Sequence, residues 1–361
     1  MMSPGEAGLY LLLAAGIAAA AVLVHAAFWG WWLRVEPDVD EVLRARTTDG
    51  WELAISRRRP RGPPRGPPVL LVHGLAMNRQ AFDFGVPSHS LAARLSRDGF
   101  DCFVLDHRGH GLSRRGPSRR WNLDDYLHRD FVAALDAVRG ATGAPDVLWV
   151  GHSQGALLGL AACALYPDRI RAIAALAPPV VYDHQARLRR LVAMRHLPLA
   201  RHFRAVMRAL SPFVGVWHPV TAEVAINSRN MARPIYRRFL ANGLEDLQAG
   251  VLDQFADFVR DNTFRSADGA TDYRALLPGA RQPALFVSAE LDGMAPPEVV
   301  EAGMQLWGGP KAHWRAGRGY GHVDLLLGRG APDHVFPVVH AFLVEHSARR
   351  DGLASTVLPA V

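Results

Sequence analysis

The segment Gly151-His-Ser-Gln-Gly155 places a serine between two glycines, directly after the apolar run Val147-Leu-Trp-Val150. This is the G-x-S-x-G pattern of a sharp strand-to-helix turn, in which the glycines let strand and helix meet closely and the serine hydroxyl stands above the sheet. Such a serine can attack a carbonyl carbon when a base removes its proton. The pattern also occurs by chance in glycine-rich turns, so the interpretation depends on the partners of Ser153.

A nucleophilic serine needs a histidine base and a carboxylate that orients this base. In proteins with this turn, the acid and then the histidine follow the serine in the chain. Asp292 comes just after the apolar segment 283–290, and His322 lies in the glycine-containing segment 319–324 before the last predicted helix. The sequence therefore predicts Ser153 as nucleophile, Asp292 as acid and His322 as base.

Other carboxylates and histidines could serve as the acid or the base, but their positions in the chain make them weaker candidates. Asp324 is expected to be a loop or helix-capping acceptor, and His73 is expected to stabilise its own loop. The remaining alternatives are two acids, Glu290 and Asp272, and three histidines that we expect at the surface or in packing, His313, His334 and His346.

An acyl-transfer site also needs N–H donors for the oxyanion. The backbone N–H groups of Gln154, which follows the serine, and of Leu75, in the loop after the segment VLLV, are predicted to supply them. His107 and His110 belong to a polar turn at the same predicted edge, where we expect a structural role and not metal binding. We therefore expect no metal and no organic cofactor.

Short apolar segments alternate with helical patterns from residue 68 onwards. Apolar, β-rich segments separated by helices predict a parallel sheet that is covered on both faces. The predicted strands are 68–74, 100–106, 147–153, 170–178 and 283–290, and the predicted helices are 90–95, 124–139, 156–165 and 332–345. Residues 51–55, before this region, alternate in polarity and are predicted to form a further strand. The sequence thus predicts an α/β fold with a mostly parallel sheet, whose core comprises residues 41–177 and 283–350.

Residues 178–282 interrupt this alternation, and we call them the cap segment. They contain arginine-rich amphipathic stretches broken by prolines, Pro219 among them, without a clear strand pattern. This predicts a helical cap inserted into the sheet. The basic stretch 187–210 could lie on an anionic bilayer or form a solvated face that packs its apolar side chains inward.

The amino-terminal region contains 26 residues, Gly8 to Leu33, without Asp, Glu, Lys or Arg. About 20 apolar residues span a bilayer, so residues 1–35 are predicted to be a single membrane anchor. A cleaved signal peptide is the alternative, but no Lys or Arg precedes the apolar run and the run is long for one. Because arginines follow the span and none precedes it, the positive-inside rule predicts a cytoplasmic catalytic domain.

Two segments beyond the anchor are predicted to be exposed connections. Four acidic residues form a short linker, and the arginine-, proline- and glycine-rich residues 57–68 form a stiff surface loop. The linker residues are Glu36, Asp38, Asp40 and Glu41.

Composition excludes several classes of protein. A chain of 361 residues with 49% hydrophobic and 21% charged residues is globular, which excludes disorder, collagen and coiled coils. Two cysteines allow one disulfide at most and exclude a site of paired CxxC motifs. The net charge of +7 comes from arginines without a nucleic-acid-reading motif, so we expect no nucleic-acid partner.

Several segments together resemble the α/β-hydrolase superfamily, and within it the acid lipases, which include the gastric and lysosomal lipases. They are VLLVHGL, DHRGHGLSR, GHSQG, ELDGMAPP and GYGHVD, and the likeness covers most of residues 48–177 and 283–345. This resemblance implies a triad of Ser153, Asp292 and His322, with oxyanion donors at Leu75 and Gln154. The anchor, the scarcity of cysteines and the unmatched cap segment depart from it.

These observations predict a membrane-tethered serine hydrolase that cleaves carboxylic esters of lipids. Acyl transfer by the same triad is one alternative, although the lipase-like polyester synthases use cysteine at the position of Ser153. A non-catalytic ligand-binding protein of the same fold is the other, although such a protein would be expected to lack a triad member.

Overall fold

A central sheet of eight strands organises the computed structural model, which describes residues 4–113, 116–182, 189, 192–193, 198–216, 224–317 and 319–348. The strand order is β1-β2-β4-β3-β5-β6-β7-β8. The strands are β1 (Glu41–Arg46), β2 (Glu52–Arg58), β3 (Val69–Val72), β4 (Cys102–Asp106), β5 (Val147–His152), β6 (Ile170–Leu176), β7 (Ala284–Ala289) and β8 (Lys311–Ala316).

Strands β3 to β8 pair in parallel, whereas β1 and β2 add an antiparallel edge. Every residue of β3, β4, β5 and β7 is buried. Central parallel strands covered on both faces need continuous apolar sequences, which is why these strands stand out in the sequence. The prediction of an α/β fold with a mostly parallel sheet is confirmed.

Helices flank the sheet, and their bounds are close to those predicted where an apolar face packs against it. Helix α5 begins at Gln154, two residues earlier than predicted, because the turn at Ser153 leads directly into it. The helices are α1 (Pro4–Trp32), α2 (Leu91–Arg97), α3 (Leu123–Asp125), α4 (Phe131–Thr142), α5 (Gln154–Leu165), α6 (Phe203–Leu210), α7 (Arg233–Arg238), α8 (Ala249–Asp261), α9 (Tyr273–Leu276), α10 (Pro297–Gln305), α11 (Asp324–Leu327) and α12 (Phe336–Glu345).

Three details of the sequence prediction were wrong at the sheet edges. Glu41 begins strand β1 and is not part of the linker. Strand β2 continues to Arg58, whose guanidinium donates to the buried Asp83 at 2.7 Å, so this part of the predicted surface loop is strand. Strand β8 was not predicted, because edge strands are exposed on one side and carry polar residues.

The cap segment connects β6 to β7. Its described residues form helices α6 to α9 and no strand that joins the sheet. Of the predicted basic stretch 187–210, residues 189, 192–193 and 198–210 are described, and Pro219 lies outside the described residues.

Helix α1 contains the predicted anchor. Residues 9–24 are exposed, and Gly5–Trp32 is, within the described chain, the one helix long and apolar enough to cross a membrane. A signal sequence near the amino terminus can meet the same criteria of length and apolar composition.

Candidate active site

Ser153 lies on the turn between strand β5 and helix α5. Its backbone has φ +53° and ψ −116°, a left-handed conformation that non-glycine residues adopt only where the surrounding structure enforces it. A Cβ at Gly151 would lie 2.4 Å from the carbonyl oxygen of Gly155, and a Cβ at Gly155 would lie 2.1 Å from that of Val72. Both glycines are therefore required for the helix to begin against β5 and β3.

His322 and Asp292 form a buried pair. His322 Nδ1 donates to Asp292 Oδ2 at 2.7 Å. Asp292 Oδ1 accepts from the backbone N–H groups of Met294 at 2.7 Å and Ala295 at 2.8 Å, so the carboxylate is held from both sides. A proton on Nδ1 leaves Nε2 of His322 as the atom able to accept another proton.

His152, which the sequence analysis did not single out, links the histidine loop to the serine turn. Its Nε2 lies 3.0 Å from the carbonyl oxygen of His322, and the two rings are 4.6 Å apart. Burial lowers the pKa of His152 well below its usual value, so the ring is neutral and donates through Nε2. Because His152 directly precedes Ser153, this bond joins the loop of His322 to the residue before the predicted nucleophile.

The alternative acids and bases have other contacts. Glu290 is half-buried directly after β7. Asp272 caps helix α9 by accepting from the N–H of Ala275 at 3.1 Å. The histidines contact Ser288 Oγ (His313), the Tyr320 hydroxyl (His334), the Phe342 ring (His346) and the carbonyl of Gly74 (His73).

Residues 224–227 of the cap segment, which we call the strap, hold the acid turn and the histidine loop together. The carbonyl of Val224 accepts from the N–H of Gly293 at 3.0 Å, and the carbonyl of Ala225 accepts from the N–H of Val323 at 2.9 Å. These are backbone bonds, which leave no signal in a sequence pattern. The strap therefore could not be predicted from the sequence.

Asp324 anchors the strap from the core side. Its Oδ2 accepts from the backbone N–H groups of Asn227 at 2.9 Å and Gly321 at 3.1 Å. Burial raises the pKa of this carboxyl to about 7. The expectation that Asp324 is a loop acceptor agrees with these contacts.

The two predicted oxyanion donors lie on either side of the serine. Gln154 is the first residue of α5, where backbone N–H groups have no partner within the helix. The loop with Leu75 passes close to Ser153, since a Cβ at Gly74 would lie 3.1 Å from the serine Cβ. The carbonyl of Ala76 accepts from the N–H of Glu245 in the cap segment at 2.8 Å, which holds this loop in place.

Ser153 also lines an apolar pocket. The other lining residues carry no charge, and four of them come from the cap segment: Pro179, Val192, Leu252 and Phe255. The core contributes Leu75 and Met294. An apolar pocket with one hydroxyl at its wall can hold a hydrophobic acyl or alcohol group next to a nucleophile.

The candidate metal ligands do not assemble into a site. Across the described part of the chain, no group of three or more His, Cys, Asp or Glu residues could hold a metal ion. The rings of His107 and His110 pack against that of His73. Burial lowers the pKa of His107 well below its usual value, so this ring belongs to a neutral packed cluster.

Comparison with known proteins identifies the family. The model of the α/β hydrolase fold family matches residues 67–328, well over half of the chain. The chain belongs to the α/β-hydrolase fold family. The matched range includes Leu75, Ser153, Gln154, Asp292 and His322.

The curated relatives include several lipases. The chain is 24% identical over 345 residues to lipase member K of Homo sapiens, covering 80% of this chain and 84% of that protein. It is 30% identical over 155 residues to the lysosomal acid lipase/cholesteryl ester hydrolase of Macaca fascicularis, covering 38% of each chain. Other curated lipases match over about a third of their own length. The predicted resemblance to the acid lipases is confirmed.

Solved structures agree with the fold. A thermophilic esterase from Thermogutta terrifontis superposes with a TM-score of 0.58 and 19% identity, covering 85% of this chain and 100% of that chain. At this identity the likeness shows the shared fold alone.

Proposed function

We propose that the chain is a carboxylic ester hydrolase of the lipase and esterase type. The observation that carries the proposal is the buried His322–Asp292 pair, joined at 2.7 Å, whose loop is linked by His152 to the strained turn of Ser153. The lipases among the curated relatives support the same reaction class.

In this mechanism, Ser153 Oγ attacks the ester carbonyl carbon while His322 Nε2 takes its proton. Asp292 stabilises the imidazolium that forms, and the N–H groups of Leu75 and Gln154 donate to the oxyanion. The tetrahedral intermediate then collapses, the imidazolium protonates the leaving alcohol, and an acyl-enzyme remains. Water activated by His322 attacks this acyl group, and Ser153 regains its proton.

The substrate is an ester with a hydrophobic acyl or alcohol part. The charge-free pocket beside Ser153 supports this choice, because it offers apolar contacts and few polar ones. The cap segment supplies part of that wall, so we assign substrate selection to residues 178–282 and chemistry to the core, residues 41–177 and 283–350.

The protein is held on a membrane by residues 1–35, as a single-pass anchor with the catalytic domain in the cytoplasm. The exposed apolar surface of α1 supports the anchor, and the arginines that follow α1 support the orientation. Protease treatment of right-side-out spheroplasts tests the orientation. Protection of the intact domain is expected, and digestion would contradict it.

Hydrolysis of p-nitrophenyl esters from acetate to palmitate by the detergent-solubilised full chain tests the reaction. We expect turnover that depends on Ser153 and a preference for longer chains, with Ser153→Ala as the control. Labelling of Ser153 by a fluorophosphonate probe tests the nucleophile independently. Labelling without ester turnover would favour acyl transfer, and the absence of both would favour a ligand-binding protein.

A further inference from the structure

The last quarter of helix α1 packs against the cap segment. His25 Nε2 donates to the carbonyl of Ala209 at 3.1 Å, and Ala26 is buried. Gly30 lies against the side chain of Arg208. Helix α1 is therefore docked on helix α6 and does not hang from the domain by a free linker.

Aromatic contacts extend this docking beyond α6. The ring of Phe213 stacks on that of His25, with centroids 6.1 Å apart and planes at 19°. The guanidinium of Arg237 lies over the ring of Trp29 at 5.3 Å. These contacts fix the position of the cap segment along the axis of α1.

The position at which the cap segment contacts α1 coincides with the expected surface of a bilayer that α1 spans. Residues 5–24 of α1 extend about 30 Å, the thickness of the hydrocarbon core. A bilayer that covers them ends at the level of His25 and therefore at Phe213. Trp29 and Gly30 then lie one turn further out, in the headgroup zone, where Trp and Arg side chains are favourable.

Large apolar side chains are exposed at this level. Phe213 is 48% exposed and Val216 is 80% exposed in the cap segment, and Phe28, Trp31 and Trp32 are exposed on α1. We call these five residues the bilayer face. Side chains of this size, exposed together near an apolar helix, indicate an apolar partner.

The described cap residues beside the bilayer face carry positive charge only, whereas Glu36, just beyond α1, pairs with Arg34 and Arg79. Residues 198–216 and 224–238 contain no Asp or Glu and carry the arginines 201, 204, 208, 229, 233, 237 and 238. Arg204 pairs with Glu245 of the following segment. A positive region beside exposed apolar side chains fits an anionic lipid surface, which attracts each such charge near it.

We propose that the bilayer face and its surrounding arginines lie on an anionic bilayer, so that the cap segment is partly embedded in the membrane that α1 spans. The inference rests on the proposed anchoring by α1. It goes further because it gives the domain one fixed orientation, with the cap segment toward the lipid.

This orientation brings the candidate site close to lipid. Phe203 on helix α6 packs on the buried cluster that contains Leu252, together with Leu75. Leu75 and Leu252 both line the pocket of Ser153. The same eight-residue helix thus contacts the membrane helix near its end and the residues behind the pocket wall at its start, so the candidate site lies within the length of this helix, about 12 Å, of the bilayer face.

Site-directed labelling tests the proposal in the full chain, reconstituted in vesicles of phosphatidylcholine and phosphatidylglycerol. Val216→Cys carries an environment-sensitive fluorophore, and a lipid-borne nitroxide serves as quencher. Leu13→Cys on α1 reports the anchor. Asp168→Cys, exposed before β6 at the sheet edge opposite Ser153, is the matched aqueous control. The native Cys102 and Cys163 are buried, and burial raises the pKa of both thiols, so they resist labelling.

We expect the label at position 216 to be quenched at least about twofold more than the label at position 168, because its side chain reaches the acyl boundary. Vesicles without phosphatidylglycerol should weaken that quenching. Quenching at position 13 with none at position 216 would overturn the docking and leave the anchor intact. No quenching at position 13 would overturn the anchor and the docking with it. Ester turnover, measured on the same samples, reports separately on the proposed function.

Discussion

The core and the cap segment are held in place by different kinds of contact. In the core, the serine turn is fixed by backbone packing so close that a single Cβ at Gly155 would overlap the carbonyl of Val72. In the cap segment, long arginine side chains hold the chain, such as Arg208 Nε donating to the carbonyl of Ala241 at 2.7 Å and Arg233 Nε to that of Val214 at 2.8 Å. Residue identity therefore determines the geometry of the core, whereas the geometry of the cap segment depends on contacts that many sequences could make.

Removal of the nucleophile should have the largest effect. We expect Ser153→Ala to lower kcat by about 10⁶-fold, the loss seen when a triad serine is removed. Stability should change little, because Ser153 Oγ makes no hydrogen bond to the described residues and Ala fits where the buried Ser153 side chain lies. Ester hydrolysis and urea unfolding of the same sample measure both quantities. A residual rate within tenfold of the wild type would remove Ser153 from the mechanism.

The acid should have the next largest effect on rate. Asp292→Asn keeps the size of the side chain but removes the charge that orients His322, and we expect a loss of about 10⁴-fold in kcat. Asp272→Asn is the control, because Asp272 caps α9 and has no bond to the histidine. Equal losses in both variants would contradict the assignment of Asp292.

The sequence was sufficient to predict this part of the site because the chemistry itself restricts the residues. Ser153, Asp292 and His322 follow in the required order, and each comes after a buried strand or before a predicted helix. The strap could not be predicted, because its bonds to Gly293 and Val323 use backbone atoms that any residue has. His152 was missed for another reason: its role depends on a carbonyl 170 residues away.

The difference between buried and exposed residues also explains which strands were predicted from the sequence and which were missed. Strands buried on both faces are apolar throughout and were predicted, whereas β1 and β8 lie at the sheet edges and read as polar linker or loop. In the cap segment, amphipathic patterns predicted helices but not their partners. The docking of α6 on α1 follows from contacts such as His25 with Ala209, which no local pattern encodes.

A stability measurement tests the close packing of the core. Gly155→Ala should lower the free energy of unfolding by about 3 kcal/mol, because the new Cβ meets rigid backbone and forces it apart. Gly140→Ala is the matched control, since a Cβ there meets nothing within 4 Å on helix α4 and should stabilise it by about 0.5–1 kcal/mol. Urea unfolding in detergent compares the two. Similar changes in the free energy of unfolding for the two variants would show that packing around Gly155 is no closer than packing around the exposed Gly140.

The joint between core and cap segment should respond to pH through Asp324. Because its folded pKa, about 7, lies above the usual value of 3.8, the folded protein holds this proton more tightly than the unfolded chain. Its contribution to stability therefore falls as pH rises from about 4 to 7. Asp324→Asn keeps an acceptor for the N–H of Asn227 and removes the titration. We expect it to reduce the loss of stability between pH 5 and pH 8 by about 2 kcal/mol.

Urea unfolding at the two pH values measures this difference, and the wild type supplies the reference for all other titrating groups. An unchanged pH dependence would mean that the carboxyl of Asp324 ionises freely where it lies. A large loss of activity at both pH values, without a change in stability, would instead point to a direct role beside His322.

We expect the smallest effect from a substitution in the part of the pocket wall that the cap segment supplies. This effect is on the selectivity between long and short acyl chains. Phe255 lines the pocket from helix α8, and we expect it to contact the acyl chain of long esters, so Phe255→Ala should remove apolar contacts that a short ester does not make. We expect kcat/KM for palmitate to fall about tenfold relative to acetate, the scale of a few lost methylene contacts. Phe264→Ala, in the cap segment but packed on Phe258 and Tyr273, is the matched control and should lower stability without altering that ratio. If both variants change the ratio equally, the cap segment acts on selectivity through its stability and not through the pocket wall.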